Sequence, residues 1–286
     1  MPLLFYAVVA LVDAVAGLWL RGRGFQRRRD GACDFWVRPA DPQAPAERRP
    51  PTALFVHGMG VGLGPYCLAL IPELLGLQAR GRLGDVLLLR QPQVAMAAWE
   101  SNGVPPRADA LAASIESTLR RHRAEEAGAV LVGHSYGAFV VTQACRRVPP
   151  ELLRGLVFLD PLCFLLQSSV VTRRFCYQPL DPSSLSGWVA YVVRSERLMS
   201  TCMRRHFHWY QNCLWLDDLG CGTSGPRALA AVAELDDKIA CDEVAAYLSP
   251  AQARARDAIE LVFLSGARHG DVLRPEFARP VFNRLE

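Results

Sequence analysis

The chain opens on an apolar run, Leu3 to Leu20 (LLFYAVVALVDAVAGLWL), interrupted only by Asp13. About eighteen such residues can cross a hydrocarbon core as a helix. A carboxylate near the middle costs about 2.5–3.5 kcal/mol on an insertion scale, so spanning, interfacial, hairpin-like and plainly buried helices all stay open at this point. No basic residue precedes the run and arginines follow it, which argues against a signal peptide and keeps the remainder on the cytoplasmic side. Residues 21–51 then read as a basic, proline-rich linker. Arg38 to Pro51 (RPADPQAPAERRPP) is its least ordered part, and Ala32 to Val37 can form a short strand. From Thr52 onward, short apolar runs alternate with helical patterns, the pattern of βαβ units in a mainly parallel sheet. The spacing predicts strands at Ala53–Val56, Val86–Leu89, Ala129–Val132, Leu156–Leu159, Leu229–Ala233 and Leu261–Leu264, and helices at Arg107–Glu126 and Tyr136–Arg147.

A chain of 286 residues can bury a full core, and one α/β catalytic unit spanning 52–286 is expected after segments 1–20 and 21–51. Half of the residues are apolar, which points to membrane contact or a large apolar site. The net charge of +4 is local in origin, because residues 21–50 hold eight arginines against Asp30, Asp34, Asp41 and Glu47. No basic face continues through the rest, so a nucleic-acid partner is not expected. An arginine cluster beside an apolar segment suits anionic lipid headgroups instead. The nine cysteines show neither a CxxC pair nor metal-like spacing with histidine, so no metal or other cofactor is expected. Their odd number fits reduced thiols on a cytosolic face.

Two glycine motifs carry the candidate chemistry. Gly133-His134-Ser135-Tyr136-Gly137 follows the buried strand AVLV and opens a helix. Such a turn is too tight for side chains at its glycines and lifts the serine hydroxyl above the sheet edge. His57-Gly58-Met59-Gly60-Val61-Gly62 follows the strand ALFV and can bring backbone N–H groups to an oxyanion, with the amides of Met59 and Tyr136 as the expected donors. It lacks the Lys-Ser/Thr of a phosphate loop. A serine hydroxyl needs a base, and His269 is the choice because it follows the last strand, ELVFLSG, after a short turn. The base needs a carboxylate after the penultimate strand, ALAAVAEL. Asp236 and Asp237 both qualify: the end of the strand selects Asp236, and the spacing to Ile239 selects Asp237. Asp160, in LDP at the end of an earlier strand, is a weaker alternative.

With Ser135, the glycine loop, a late aspartate and His269 in that chain order, the sequence resembles the α/β-hydrolase superfamily from about Thr52 to the C-terminus. The runs FVHGMGVGLGPY and RHFHWYQNCLW and the apolar N-terminus resemble membrane-anchored members from fungi, plants and algae. The resemblance implies a mainly parallel sheet flanked by helices, with a helical cap inserted at about 162–227. Phe207, Trp209, Tyr210 and Trp215 could line an acyl pocket there or simply hold the cap together. The implied activity is hydrolysis of a carboxylic or lipid acyl ester at a membrane surface. An acyltransferase or a non-catalytic binding protein on the same scaffold are the competing readings.

Overall fold

The computed structural model describes residues 1–40, 49–179, 183–219, 225–249 and 259–285. In chain order its elements are α1 (Leu3–Gly22), β1 (Gln26–Asp30), β2 (Cys33–Arg38), β3 (Thr52–Val56), α2 (Leu70–Ala79), β4 (Val86–Arg90), α3 (Ala108–Arg121), α4 (Ala124–Ala127), β5 (Ala129–His134), α5 (Gly137–Arg147) and β6 (Leu153–Leu159). Four helices follow before the next strand: α6 (Val170–Tyr177), α7 (Leu185–Ser195), α8 (Arg197–Arg205) and α9 (Trp209–Asn212). They form the cap. The chain then returns through β7 (Arg227–Ala233), α10 (Cys241–Leu248), β8 (Ile259–Leu264) and α11 (Pro275–Phe282).

The strands form one sheet in the order β1-β2-β4-β3-β5-β6-β7-β8. β1–β2 and β2–β4 are antiparallel and every other pair is parallel. Strands covered on both faces need apolar residues at every position, and all five residues of β3, TALFV, are buried. Leu54 and Val56 pack with α3, α5 and the cap; Ala53 and Phe55 pack on the opposite side with α2 and α11. The strand order reverses direction at β3, so a crevice opens between the carboxyl ends of β3 and β5. Both glycine motifs leave the sheet there.

Segment 21–51 holds the short strand expected near Ala32–Val37, now β2, and a further one that the linker reading lacked. It supplies two strands, with β1 (QRRRD) at the outer edge. Arginines on an edge strand discourage pairing with another chain, and here they hide the strand from an apolar-pattern search. The two-residue hairpin loop Gly31-Ala32 joins β1 to β2, with Gly31 in the left-handed region at φ +54°. Residues 41–48, the middle of the proline-rich stretch, lie outside the described residues. The single helix expected over Arg107–Glu126 is split into α3 and α4, because Arg123 takes a left-handed conformation at φ +59°. The apolar run becomes α1, which packs one side against the body: Val9, Ala16, Gly17 and Leu20 are buried.

Candidate active site

Ser135 stands in the turn between β5 and α5 with φ +52°. A non-glycine residue in that region stores backbone strain and persists only where the surroundings fix it. They do so closely here. A Cβ on Gly137 would overlap the Val56 carbonyl, and one on Gly133 would come within 2.7 Å of the Gly137 oxygen. The Ser135 amide also donates to Leu159 O on β6 at 2.9 Å.

The Ser135 hydroxyl lies 2.9 Å from His269 Nε2, and His269 Nδ1 lies 2.7 Å from Asp236 Oδ2. The second oxygen of Asp236 accepts from the Lys238 amide at 2.7 Å. The Asp236 carboxylate accepts a hydrogen bond from Nδ1–H and so fixes the tautomer in which Nε2 is the acceptor facing the serine. Burial works to lower the His269 pKa, but the Asp236 charge and hydrogen bond outweigh it, and the pKa is raised above its usual 6.5. The two candidate carboxylates occupy different environments. The Asp236 side chain is fully buried, whereas that of Asp237 is 55% exposed and pairs with Lys238 Nζ at 2.5 Å.

Among the described residues, neither the Met59 nor the Tyr136 N–H donates to another protein group. Gly58 brings the loop that carries Met59 against the serine, since a Cβ there would stand 3.0 Å from Ser135 Cβ and 2.9 Å from His134 Nδ1. Three groups hold the loop. The Gln91 amide donates to His57 Nε2 at 3.1 Å, so His57 Nδ1–H donates to Gly58 O at 2.7 Å. Burial depresses the His57 pKa to about 4, and the ring stays neutral. The Gly58 amide donates to the Tyr66 hydroxyl at 2.8 Å, which in turn donates to His134 Nδ1 at 2.7 Å.

Tyr66 is a site residue that sequence reasoning did not single out, although it ends the GLGPY run. Asp160 is another whose role differs from the alternative considered. It is fully buried at the end of β6, accepts from the Gly270 amide at 2.7 Å, and faces His134 Nε2 at 3.5 Å. The cap aromatics are divided. Phe207 packs on Phe139, with ring centroids 4.9 Å apart, and lines a cavity of about 1410 Å³ between the cap, α3 and α5. Trp209, Tyr210 and Trp215 are exposed. Tyr136, His206 and His208 also line that cavity, but Ser135, His269 and Asp236 do not.

A sequence model described as the alpha/beta hydrolase family matches residues 53–282. The chain belongs to that family. Among solved structures, this α/β-hydrolase is similar to a bacterial membrane phospholipase A described as a virulence factor, at 12% identity and a TM-score of 0.60, covering 99% of this chain and 93% of the other. It is also similar to an esterase of the planctomycete Thermogutta terrifontis, at 15% identity and a TM-score of 0.57, with 91% of each chain covered. A serine hydrolase of Cycloclasticus zankles aligns at 15% identity and a TM-score of 0.56, covering 91% and 96% of the two chains. These likenesses concern the fold. No curated protein sequence matches this α/β-hydrolase.

Proposed function

We propose that this α/β-hydrolase cleaves carboxylic esters, lipid acyl esters among them, through an acyl-enzyme on Ser135. The observation that carries the reading is the unbroken chain Ser135–His269–Asp236 beside two amides without a protein partner. His269 Nε2 takes the hydroxyl proton as Ser135 Oγ attacks the carbonyl carbon. Negative charge gathers on the carbonyl oxygen, where the Met59 and Tyr136 amides donate to it. His269, now protonated and held by Asp236, passes its proton to the leaving alcohol, and the acyl group remains on Ser135. Water then repeats the sequence, giving its proton to His269 and releasing the acid. Gly133, Gly137 and Gly58 serve by allowing the approach of strand, helix and loop. No cofactor enters this scheme.

The proposal extends to place. Among the described residues one helix, Leu3–Gly22, is long and apolar enough to cross a membrane. Arg21, Arg23, Arg28 and Arg29 follow its apolar part and are exposed. We read the N-terminus as the attachment to a membrane surface, with the hydrolase domain on the cytoplasmic side.

The direct test is labelling with a fluorophosphonate, followed by mapping of the adduct by mass spectrometry. An adduct on Ser135 that is absent from Ser135→Ala and strongly reduced in His269→Ala is the expected result. A folded wild-type protein that stays unlabelled both in detergent and on liposomes removes the proposal and favours a binding role for the same fold.

A further inference from the structure

The two sides of α1 have opposite fates. Leu4, Val8, Leu11, Val15 and Leu18 recur at helical spacing and are all exposed. The other side is tied to the body by polar bonds as well as packing. Asp13 pairs with Arg90 at 3.2 Å, and Tyr6 donates to Glu196 at 2.6 Å. The Glu196 side chain is fully buried, and that of Arg90 is only 7% exposed. A helix standing across a bilayer would have to give up both bonds and withdraw Val9, Ala16 and Leu20 from their contacts. A helix lying in the membrane plane keeps them all and submerges only the exposed stripe.

The place where α1 docks gives this orientation a consequence. Val9 meets Met96 and Met199 in a small apolar cluster, and Met59 and Val61 of the glycine loop pack against it. Three of the five methionines of the chain, Met59, Met96 and Met199, therefore converge between α1, the cap and the glycine loop. Methionine is unbranched and adaptable, suited to a passage that must part and close around a flexible chain. Further apolar surface adjoins the helix. Leu68, at the 3-10 turn that α1 contacts, is exposed, as are Trp188, Val189 and Tyr191 on α7, whose far end packs Val192 and Val193 on the same cluster as Phe5. Exposed Arg21, Arg23, Arg28 and Arg29 beyond the stripe suit anionic headgroups.

We infer that α1 lies in the plane of an anionic lipid membrane, and that an acyl chain reaches Ser135 from the bilayer between α1 and the cap, past Val9, Met96 and Met199. The occupant of the exposed stripe is thus a lipid surface, and the passage rests on the ester-hydrolase reading above. The large cavity beside Phe207 also reaches Tyr136 and is the competing route that the labelling below separates.

The test uses the full chain with an N-terminal epitope and vesicles of phosphatidylcholine with and without phosphatidylglycerol. The expected result is binding favoured by phosphatidylglycerol, with the epitope open to added protease. Leu11→Arg/Val15→Arg lowers that binding at least about tenfold, and long-chain lipid ester turnover falls with it, while turnover of a short soluble ester is unchanged. Should the double variant fold poorly, Leu18→Asn gives a smaller loss in the same direction. An epitope sealed inside the vesicle, or equal binding by the variant, overturns the in-plane orientation. So does a dimer that buries the stripe and ignores vesicles. For the passage, Ser135→Ala is irradiated with a lipid carrying a diazirine on its acyl chain. Adducts in the segments around Met96 and Met199 are expected, and adducts confined to Phe139 and Phe207 overturn it. Short-ester turnover separates the two levels, because its absence in wild type removes the hydrolase reading while vesicle binding still reports the orientation.

Discussion

Two histidine–aspartate pairs flank Ser135, and their ring centroids are only 6.1 Å apart. In the first, His269 and Asp236 meet at 2.7 Å and Nε2 faces the serine hydroxyl. In the second, His134 Nε2 stands 3.5 Å from Asp160 and Nδ1 accepts from Tyr66. Both carboxylates are buried. The difference lies in where the ring lone pair points. Tyr66 already occupies the His134 acceptor, so that ring has nothing with which to take a proton from Ser135. The ring instead stands between two anchors: Asp160, 3.5 Å from Nε2, grips the His269 loop through the Gly270 amide, and Tyr66, bonded to Nδ1, grips the glycine loop through the Gly58 amide. We read the first pair as chemistry and the second as the frame that holds base and oxyanion donors in register.

The largest effect that can break this division is expected at Asp236. Asp236→Asn leaves the volume unchanged but favours the wrong His269 tautomer, and kcat should fall by about ten-thousand-fold. Asp237→Asn should stay within about twofold, since that carboxylate is half exposed and paired with Lys238. Equal losses in the two variants, measured on one soluble ester, would undo the assignment of the acid.

The same pair sets the acid limb of the pH profile. In the proposed mechanism His269 acts as a base only when neutral, and its pKa is raised by Asp236 above 6.5, so kcat/KM should climb with pH through an inflection above that value. In Asp236→Asn the burial that lowers the pKa loses its main opponent, and the inflection in the residual activity should move to lower pH. The stability linkage has the opposite sense. A raised histidine pKa stabilises the fold below the unfolded value of about 6.5, and this contribution is lost as pH rises through the native value. Thermal unfolding across that range reads it directly.

The residues proposed to carry the chemistry are easier to locate in the sequence than their supports. Ser135 and the glycine loop stand out because each follows a buried strand and needs glycine at fixed offsets. The late histidine is bounded by the last apolar strand. The choice between Asp236 and Asp237 had to await the packing, because neighbouring residues at a strand end differ only in which one the next turn buries. β1 was hidden for another reason: its residues are almost all exposed, and QRRRD carries no apolar signal at all. Tyr66 and Asp160 were obscured because their partners lie 68 and 110 residues away. Nothing local marks such a bond.

The frame should give smaller losses than the triad, and Asp160 the larger of the two. Burial raises its pKa, but the His134 ring 3.5 Å away, nearby histidine charge and the Gly270 amide bring it below the usual carboxylate value. Its charge therefore stabilises the fold above the unfolded value of about 3.9, and that contribution is lost as pH falls through the native value. Asp160→Asn should flatten this acid dependence of Tm and lower kcat by about ten- to a hundredfold, with KM for a short ester little changed, because the His269 loop loses its anchor.

Tyr66→Phe sharpens the comparison at its fine end. It removes one hydroxyl that both accepts from Gly58 and donates to His134, while the ring keeps its packing on Phe55. The Gly58 amide is left buried and unpaired, at a cost of about 1–3 kcal/mol. The glycine loop can then drift from the position in which the Met59 amide meets a developing oxyanion. A loss in kcat of up to about tenfold is expected, without displacement of the acid limb, because His269 and its carboxylate are untouched. A displaced limb of the size seen in Asp236→Asn would mean that the second pair tunes the base itself, and the division between chemistry and frame would fail.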